Sequence, residues 1–173
     1  QDYPFRGQSC LSCSKLHLHL PHSAVNSSLM YKELELWQFI ASHLEIGEPV
    51  MLLVVAESSG SSPGRAGYKM AVAANGELCG SIGGGVMEVN LVERVKYQAL
   101  CAKSQVIEQV HQTNSPNSSG MICSGKQTVI IRRLTIDESD TVDSIVDSLL
   151  RRQPIVFQFS NFKFQIVENA SDG

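Results

Sequence analysis

Pro49-Val50-Met51-Leu52-Leu53-Val54-Val55-Ala56 is a continuous apolar run, short and rich in valine and leucine. Such a run suits a β-strand buried on both faces, because an exposed face would call for alternation with polar residues. A strand of that kind needs layers on either side, and the neighbouring segments can supply them. On its N-terminal side Leu34, Trp37, Ile40, Ala41 and Leu44 fall on one helical face, and Gly47 follows as a C-terminal cap. On its C-terminal side come two glycine-rich turns, Gly60-Ser61-Ser62-Pro63-Gly64-Arg65-Ala66-Gly67 and Gly80-Ser81-Ile82-Gly83-Gly84-Gly85. Between them, Tyr68 to Ala74 and Glu77 to Ser81 flank Asn75-Gly76, a strong signal for a two-residue hairpin.

Further along, Leu91, Val92, Val95, Ala99 and Ala102 share one face of a helix expected over 87–102, with Asn90, Glu93, Arg94 and Tyr97 opposite. Val106 to His111 and Gln127 to Leu134 read as strands separated by a polar loop. Val142, Ile145, Val146 and Leu149 mark a last helix, with acids at its start and Arg151-Arg152 at its end. Ile155 to Phe159 and Phe162 to Val167 form a closing pair of strands. This order predicts one α/β domain with a mixed sheet flanked by helices and the glycine-rich loops at one end. Residues 1–29 have no clear period and are set aside as an N-terminal extension, leaving 30–173 as the domain.

Composition narrows the function. The chain has 173 residues, 43% hydrophobic and only 18% charged, enough for one ordinary core. A net charge of −3 gives no broad basic face for nucleic acid. No apolar run approaches the length of a membrane span. Five cysteines do not make the dense, even framework of a small secreted domain, so reduced thiols in the cytoplasm are the expectation. Cys10-x-x-Cys13 with His17, His19 and His22 offers ligands for zinc, yet lacks the long loop between ligand pairs of a standard finger.

The chemistry concentrates in the glycine turns. The second ends where a helix begins, so its backbone N–H groups and the positive helix end point at one place, a geometry that binds anions. Gly83, Gly84 and Gly85 each cost backbone entropy, which either close packing or close approach to a ligand would explain. Ser61, Ser62, Arg65 and Lys69 accompany the first turn, and neither cation has an acidic residue close by in sequence. A phosphorylated ligand is the corresponding expectation. Glu88 has two readings: a first-turn carboxylate that caps loop N–H groups, or a ligand contact or general base. Cys123, near Gly120 and Gly125 and followed by Lys126, has the surroundings of a lowered thiol pKa that could hold or pass sulfur. Cys79 and Cys101 read as inert, and His43 and His111 as surface or packing residues. The turn Gly80 to Gly85 is neither the dinucleotide fingerprint nor a Walker A loop, and no Ser/His/Asp set is visible.

Taken in order, Gly60-Ser61-Ser62-Pro63 with Gly67 and Lys69-Met70, Asn75-Gly76, Gly80 to Gly85 with Glu88, and Met121 with Cys123-Ser124-Gly125 resemble the XdhC/CoxI family. The likeness runs from about Met30 to the last strands. It implies an accessory protein, not itself a turnover enzyme, that binds molybdenum cofactor and helps mature it for insertion into xanthine dehydrogenase or a related molybdenum hydroxylase. It further implies a sulfur-donating desulfurase and a second copy of the chain as partners. Cofactor contacts would fall to Ser61, Ser62, Arg65, Lys69, Gly83, Gly84, Gly85, Glu88 and Cys123, with no catalytic residue and no resident metal ligand. Family members typically continue into a Rossmann-like C-terminal domain, so the resemblance implies that these residues correspond to the N-terminal domain alone. Three motifs depart from the pattern: Gly64 and Ala66 stand where arginine and proline are usual, although Arg65 remains, Val86 takes the place of a cysteine, and Cys123-Ser124-Gly125 replaces Cys-Gly-Gly. The lost thiol bears on sulfur handling more than on cofactor binding. The alternatives from the residues alone are a small enzyme on a phosphorylated or nucleotide substrate, with Glu88 as base and Arg65 or Lys69 on the phosphate, and a scaffold that has lost ligand binding.

Overall fold

A computed structural model of the chain describes residues 16–19, 27–98, 105–111, 125–153, 156–160 and 163–167. The apolar run is strand β2 (Val50–Ser59), β1 being Leu16–His19. Val50 to Val55 are all buried, and their alternation divides the protein into two cores. Val50, Leu52 and Val54 face helices α1 (Ser27–Glu45) and α3 (Ser139–Leu150), packing with Trp37, Ile40, Leu44, Val142, Ile145 and Leu149. Met51, Leu53 and Val55 point the other way, toward Leu91, Val92 and Val95 of α2 (Gly85–Gln98). A period of two on a strand therefore places each neighbouring residue in a different core.

Strands β3 (Lys69–Ala73), β4 (Leu78–Gly80), β5 (Gln105–His111) and β6 (Gly125–Leu134) complete a five-stranded sheet in the order β4-β3-β2-β6-β5. The α/β expectation holds, but every strand pair described is antiparallel rather than mixed. The reason lies in the connections. The Asn75-Gly76 turn closes β3 on β4, with Gly76 at φ 93°, and α2 carries the chain from the β4 edge to the β5 edge, where β5 then runs antiparallel to β6.

Helix α1 begins at Ser27, earlier than the pattern starting at Tyr31 suggests, and ends as expected. Gly47 at φ 77° donates its N–H to Leu44 C=O (2.9 Å), and Glu48 N–H reaches back to His43 C=O (2.9 Å), the paired bonds of a Schellman cap. The residues set aside as an extension also enter the fold. β1 pairs antiparallel with β7 (Val156–Ser160), which pairs with β8 (Lys163–Val167) in a second, three-stranded sheet. Cys10, Cys13, His22, Ala99, Ala102 and Cys101 lie outside the described residues, as does the segment 112–124 with Cys123.

Candidate functional site

The two glycine turns meet. β2 outruns β3 at a bulge between Val55 and Glu57, and its last residues pair only with β6. The first turn then folds back so that Gly67 N–H bonds Val55 C=O (2.8 Å) and Val55 N–H bonds Tyr68 C=O (2.9 Å). That return lays Pro63-Gly64 on the second turn. A Cβ at Gly83 would strike the backbone of Pro63 and Gly64, and one at Gly64 would strike Ile82 C=O. On its other side the first turn lies on Gly125, where a Cβ would strike Ser61 and Ser62. Three motif segments far apart in sequence thus cross within van der Waals contact, and glycine at Gly64, Gly83 and Gly125 is a packing requirement.

Gly84 and Gly85 are different. Their φ angles are 75° and 72°, yet nothing lies within 4 Å of where a Cβ would sit. Here glycine answers to backbone conformation, and the space in front of the two residues is open at the N-terminus of α2. Val86 is exposed beside them.

Glu88 takes the capping role. Its Oε2 accepts from Ser81 Oγ (2.7 Å), Ile82 N–H (2.8 Å) and Gly84 N–H (2.9 Å), while Gly83 N–H donates to Ser81 Oγ (3.1 Å). Partial burial works to raise its pKa, and the bonds from Ser81 and from the Gly84, Ile82 and Gly83 amides outweigh it, holding the carboxyl below the ordinary range. The turn's own amides are thus partly filled from within, by a carboxylate that also meets the positive helix end.

The remaining candidates separate. Lys69 is buried, its Nζ 2.6 Å from Glu33 Oε1 on α1 and 3.2 Å from Gly67 C=O, so its partner comes from 36 residues upstream, where proximity in sequence could not show it. Arg65 is exposed, and its side chain has no hydrogen bond or ion pair among the described residues. Ser61 is exposed; Ser62 is buried and bonds Gln127 Oε1 (3.0 Å). Cys79 is partly buried, and burial with the nearby Glu35 charge pushes its thiol up against a smaller lowering by the Gly80 backbone, in keeping with an inert cysteine. His43 does not stand alone: it is buried between Glu48 (2.6 Å) and Glu77 (3.3 Å) and against the Phe39 ring, tying the end of α1 to the hairpin. No metal-binding cluster occurs among the described residues, nor any helix long and apolar enough to cross a membrane.

Two residues of the cluster escaped the sequence reading. Gln127 is 1% exposed and donates to Gln109 Oε1 (2.8 Å), whose amide in turn donates to Met87 C=O in the first turn of α2 (3.2 Å). The signal was there in β6, where Gln127 occupies the inward register shared by Gly125, Val129 and Ile131. A polar residue in an otherwise apolar inward set needs a buried partner.

Comparison with known proteins shows what the chain resembles. Among curated proteins no sequence matches the chain. A crystal structure from Bacillus halodurans, described as a xanthine dehydrogenase, has a similar fold, with a TM-score of 0.64 at 17% identity over 80% of this chain and 43% of that one. This chain spans less than half of that protein's length, and at such identity the likeness concerns the fold alone. The XdhC and CoxI family model matches residues 43–111, from the end of α1 through both glycine turns and α2 to the end of β5. Residues 43–111, with Glu88 and the glycine pair that faces open space, are therefore the part of this chain that is similar to the XdhC and CoxI family.

Proposed function

We propose that this chain binds molybdenum cofactor and serves its maturation and insertion into a molybdenum hydroxylase of the xanthine dehydrogenase type. The observation that carries this reading is the crossing of the two glycine turns, which leaves Gly84 and Gly85 facing open space at a helix N-terminus, with Arg65 of the first turn exposed and without an ion pair among the described residues. Molybdenum cofactor is a pterin with a terminal phosphate and a metal dithiolene, and its redox chemistry belongs to the client. What it needs from a carrier is an anion site and polar contacts. The Gly84-Gly85 backbone, Arg65 and the exposed Ser61 hydroxyl fit the phosphate. Lys69, committed to Glu33, is not required for it. Sulfur handling would fall to Cys123, with a desulfurase as donor.

The enzyme alternative loses its base. Glu88 already accepts three hydrogen bonds on one oxygen and is held below the ordinary carboxylate range, which opposes proton abstraction near neutral pH.

The test is mass spectrometry of protein purified from a molybdate-fed host able to make the cofactor. The cofactor is expected with the wild-type chain and strongly depleted with Arg65→Ala, whose melting temperature should stay near that of the wild type because the side chain is exposed and has no partner among the described residues. A wild-type chain that never retains a pterin would refute the reading.

A further inference from the structure

The hydrogen bonds from Ser62 to Met87 run in one direction, and the end of the chain dictates it. Met87 C=O can only accept, so Gln109 must turn its NH2 toward it. Gln109 then presents Oε1 to Gln127, Gln127 must donate through Nε2, and its Oε1 is left facing Ser62, whose hydroxyl must donate. Neither amide can flip alone without setting two acceptors or two donors face to face. Gln127 Oε1 also lies where it would be 2.6 Å from a Cβ on Gly64, so the same amide touches the first turn twice. Three buried or half-buried bonds thereby join the first glycine turn, β6, β5 and the first turn of α2, which share no neighbouring residues in sequence.

We propose that Gln127 and Gln109 are positioning residues for the ligand-binding loops: their one-way chain from Ser62 to Met87 sets the first glycine turn against the start of α2 and thereby holds Gly84 and Gly85 open. This rests on the reading of those loops as the cofactor site. It also commits the Ser62 proton, which leaves Ser61, exposed and without a side-chain hydrogen bond among the described residues, as the hydroxyl of the first turn able to donate to an anion. The arrangement is sensitive to direction, and that sensitivity separates positioning from filling of space. Of the charged neighbours along the strands, Lys126 and Glu108 pair with each other (2.7 Å), on residues that alternate to the other face of the sheet.

Gln127→Glu is the discriminating variant. Buried, the introduced carboxyl favours its neutral form, which can accept from Ser62 and donate to Gln109 as the amide does. Ionised, it can only accept, Gln109 must turn round, and its oxygen then opposes Met87 C=O. Because the folded-state pKa is raised, the chain is intact at low pH and is lost as pH rises through that value. Amide hydrogen exchange of the ligand-free protein, taken as the ratio of variant to wild type at each pH, reads this directly. The ratio over residues 82–88 is expected to be near one at about pH 5 and to reach roughly tenfold above neutral pH, while residues 50–55 of β2 stay unchanged. Ser62→Ala, which removes only the first donor, should speed exchange in residues 60–67 at every pH and keeps the test open if Gln127→Glu fails to fold. In both variants cofactor recovery at pH 8 should fall at least severalfold below wild type. Loop exchange equal to wild type in both variants would overturn the proposal. Altered exchange with no cofactor on the wild-type chain would instead overturn the functional reading and leave the positioning role standing.

Discussion

Glu88 and the residues around it show how one carboxylate can set a loop. Three donors converge on Oε2, so Glu88→Ala is expected to cost about 1 kcal/mol, as removal of a helix cap does, measured by urea denaturation at pH 7. Glu88→Gln keeps an acceptor oxygen and should recover most of that loss. Since the folded-state pKa lies below the ordinary 4.5, the charge contributes stability that is present above that value and is lost as pH falls through the folded pKa. The wild type should therefore lose this increment on acidification below about pH 4.5, and Glu88→Gln should lack it. A Gln variant with the same acid dependence as wild type would point to a different carboxylate. The two cations of the first turn make the complementary point. Lys69 and Arg65 look alike in the sequence, yet one is spent on Glu33 and only the other is open to an anion.

At the scale of elements, the two glycine turns hold two kinds of glycine within one run of three. Gly83 is pressed on Pro63 and Gly64, whereas Gly84 and Gly85 have nothing where a Cβ would go. Gly83→Ala must push two backbones apart and is expected to lower stability by about 3 kcal/mol or more, the class of overpacking combined with backbone strain. Gly84→Ala meets only the left-handed backbone term, about 1–2 kcal/mol. Thermal melts of the two proteins, with cofactor retention measured alongside, check this. Gly84→Ala should lose cofactor out of proportion to its stability, and an equal melting temperature for the two variants would refute the distinction. The strands behave as their pattern requires. β2 serves both cores because it is apolar on both faces, and β6 alternates between them, admitting Gln127 only because Ser62 and Gln109 complete its hydrogen bonds.

For the whole molecule, the pairing of β1 with β7 joins the first described residues to the last strands. Removal of residues 1–26 is expected to raise amide exchange in 156–160, which loses a ladder partner, and to leave β2 and β6 as protected as before. Loss of protection throughout the five-stranded sheet would mean that β1 supports the main core as well. The layering explains why the site forms where it does. α1 and α3 occupy one face of the sheet and α2 the other, so the turn leading into α2 comes out at the end of the sheet where the first glycine turn and the start of β6 also emerge.

The sequence by itself determined the elements and their burial, because these follow from local periodicity. The eight-residue apolar run, the helical face of Trp37, Ile40 and Leu44, the Asn75-Gly76 turn and the Gly47 cap each carry their own signal within a few residues. It also singled out the glycine turns, since three successive glycines have no local justification. Only the tertiary structure decided what each of those residues does, because the deciding partners are distant in sequence: Glu33 for Lys69, Pro63-Gly64 for Gly83, Ser62 for Gly125 and Gln127, Glu48 and Glu77 for His43. The antiparallel sheet and the use of β1 likewise depend on pairings across the chain. Local pattern records which groups must be buried or bent; which other group satisfies them is settled only when the chain closes on itself.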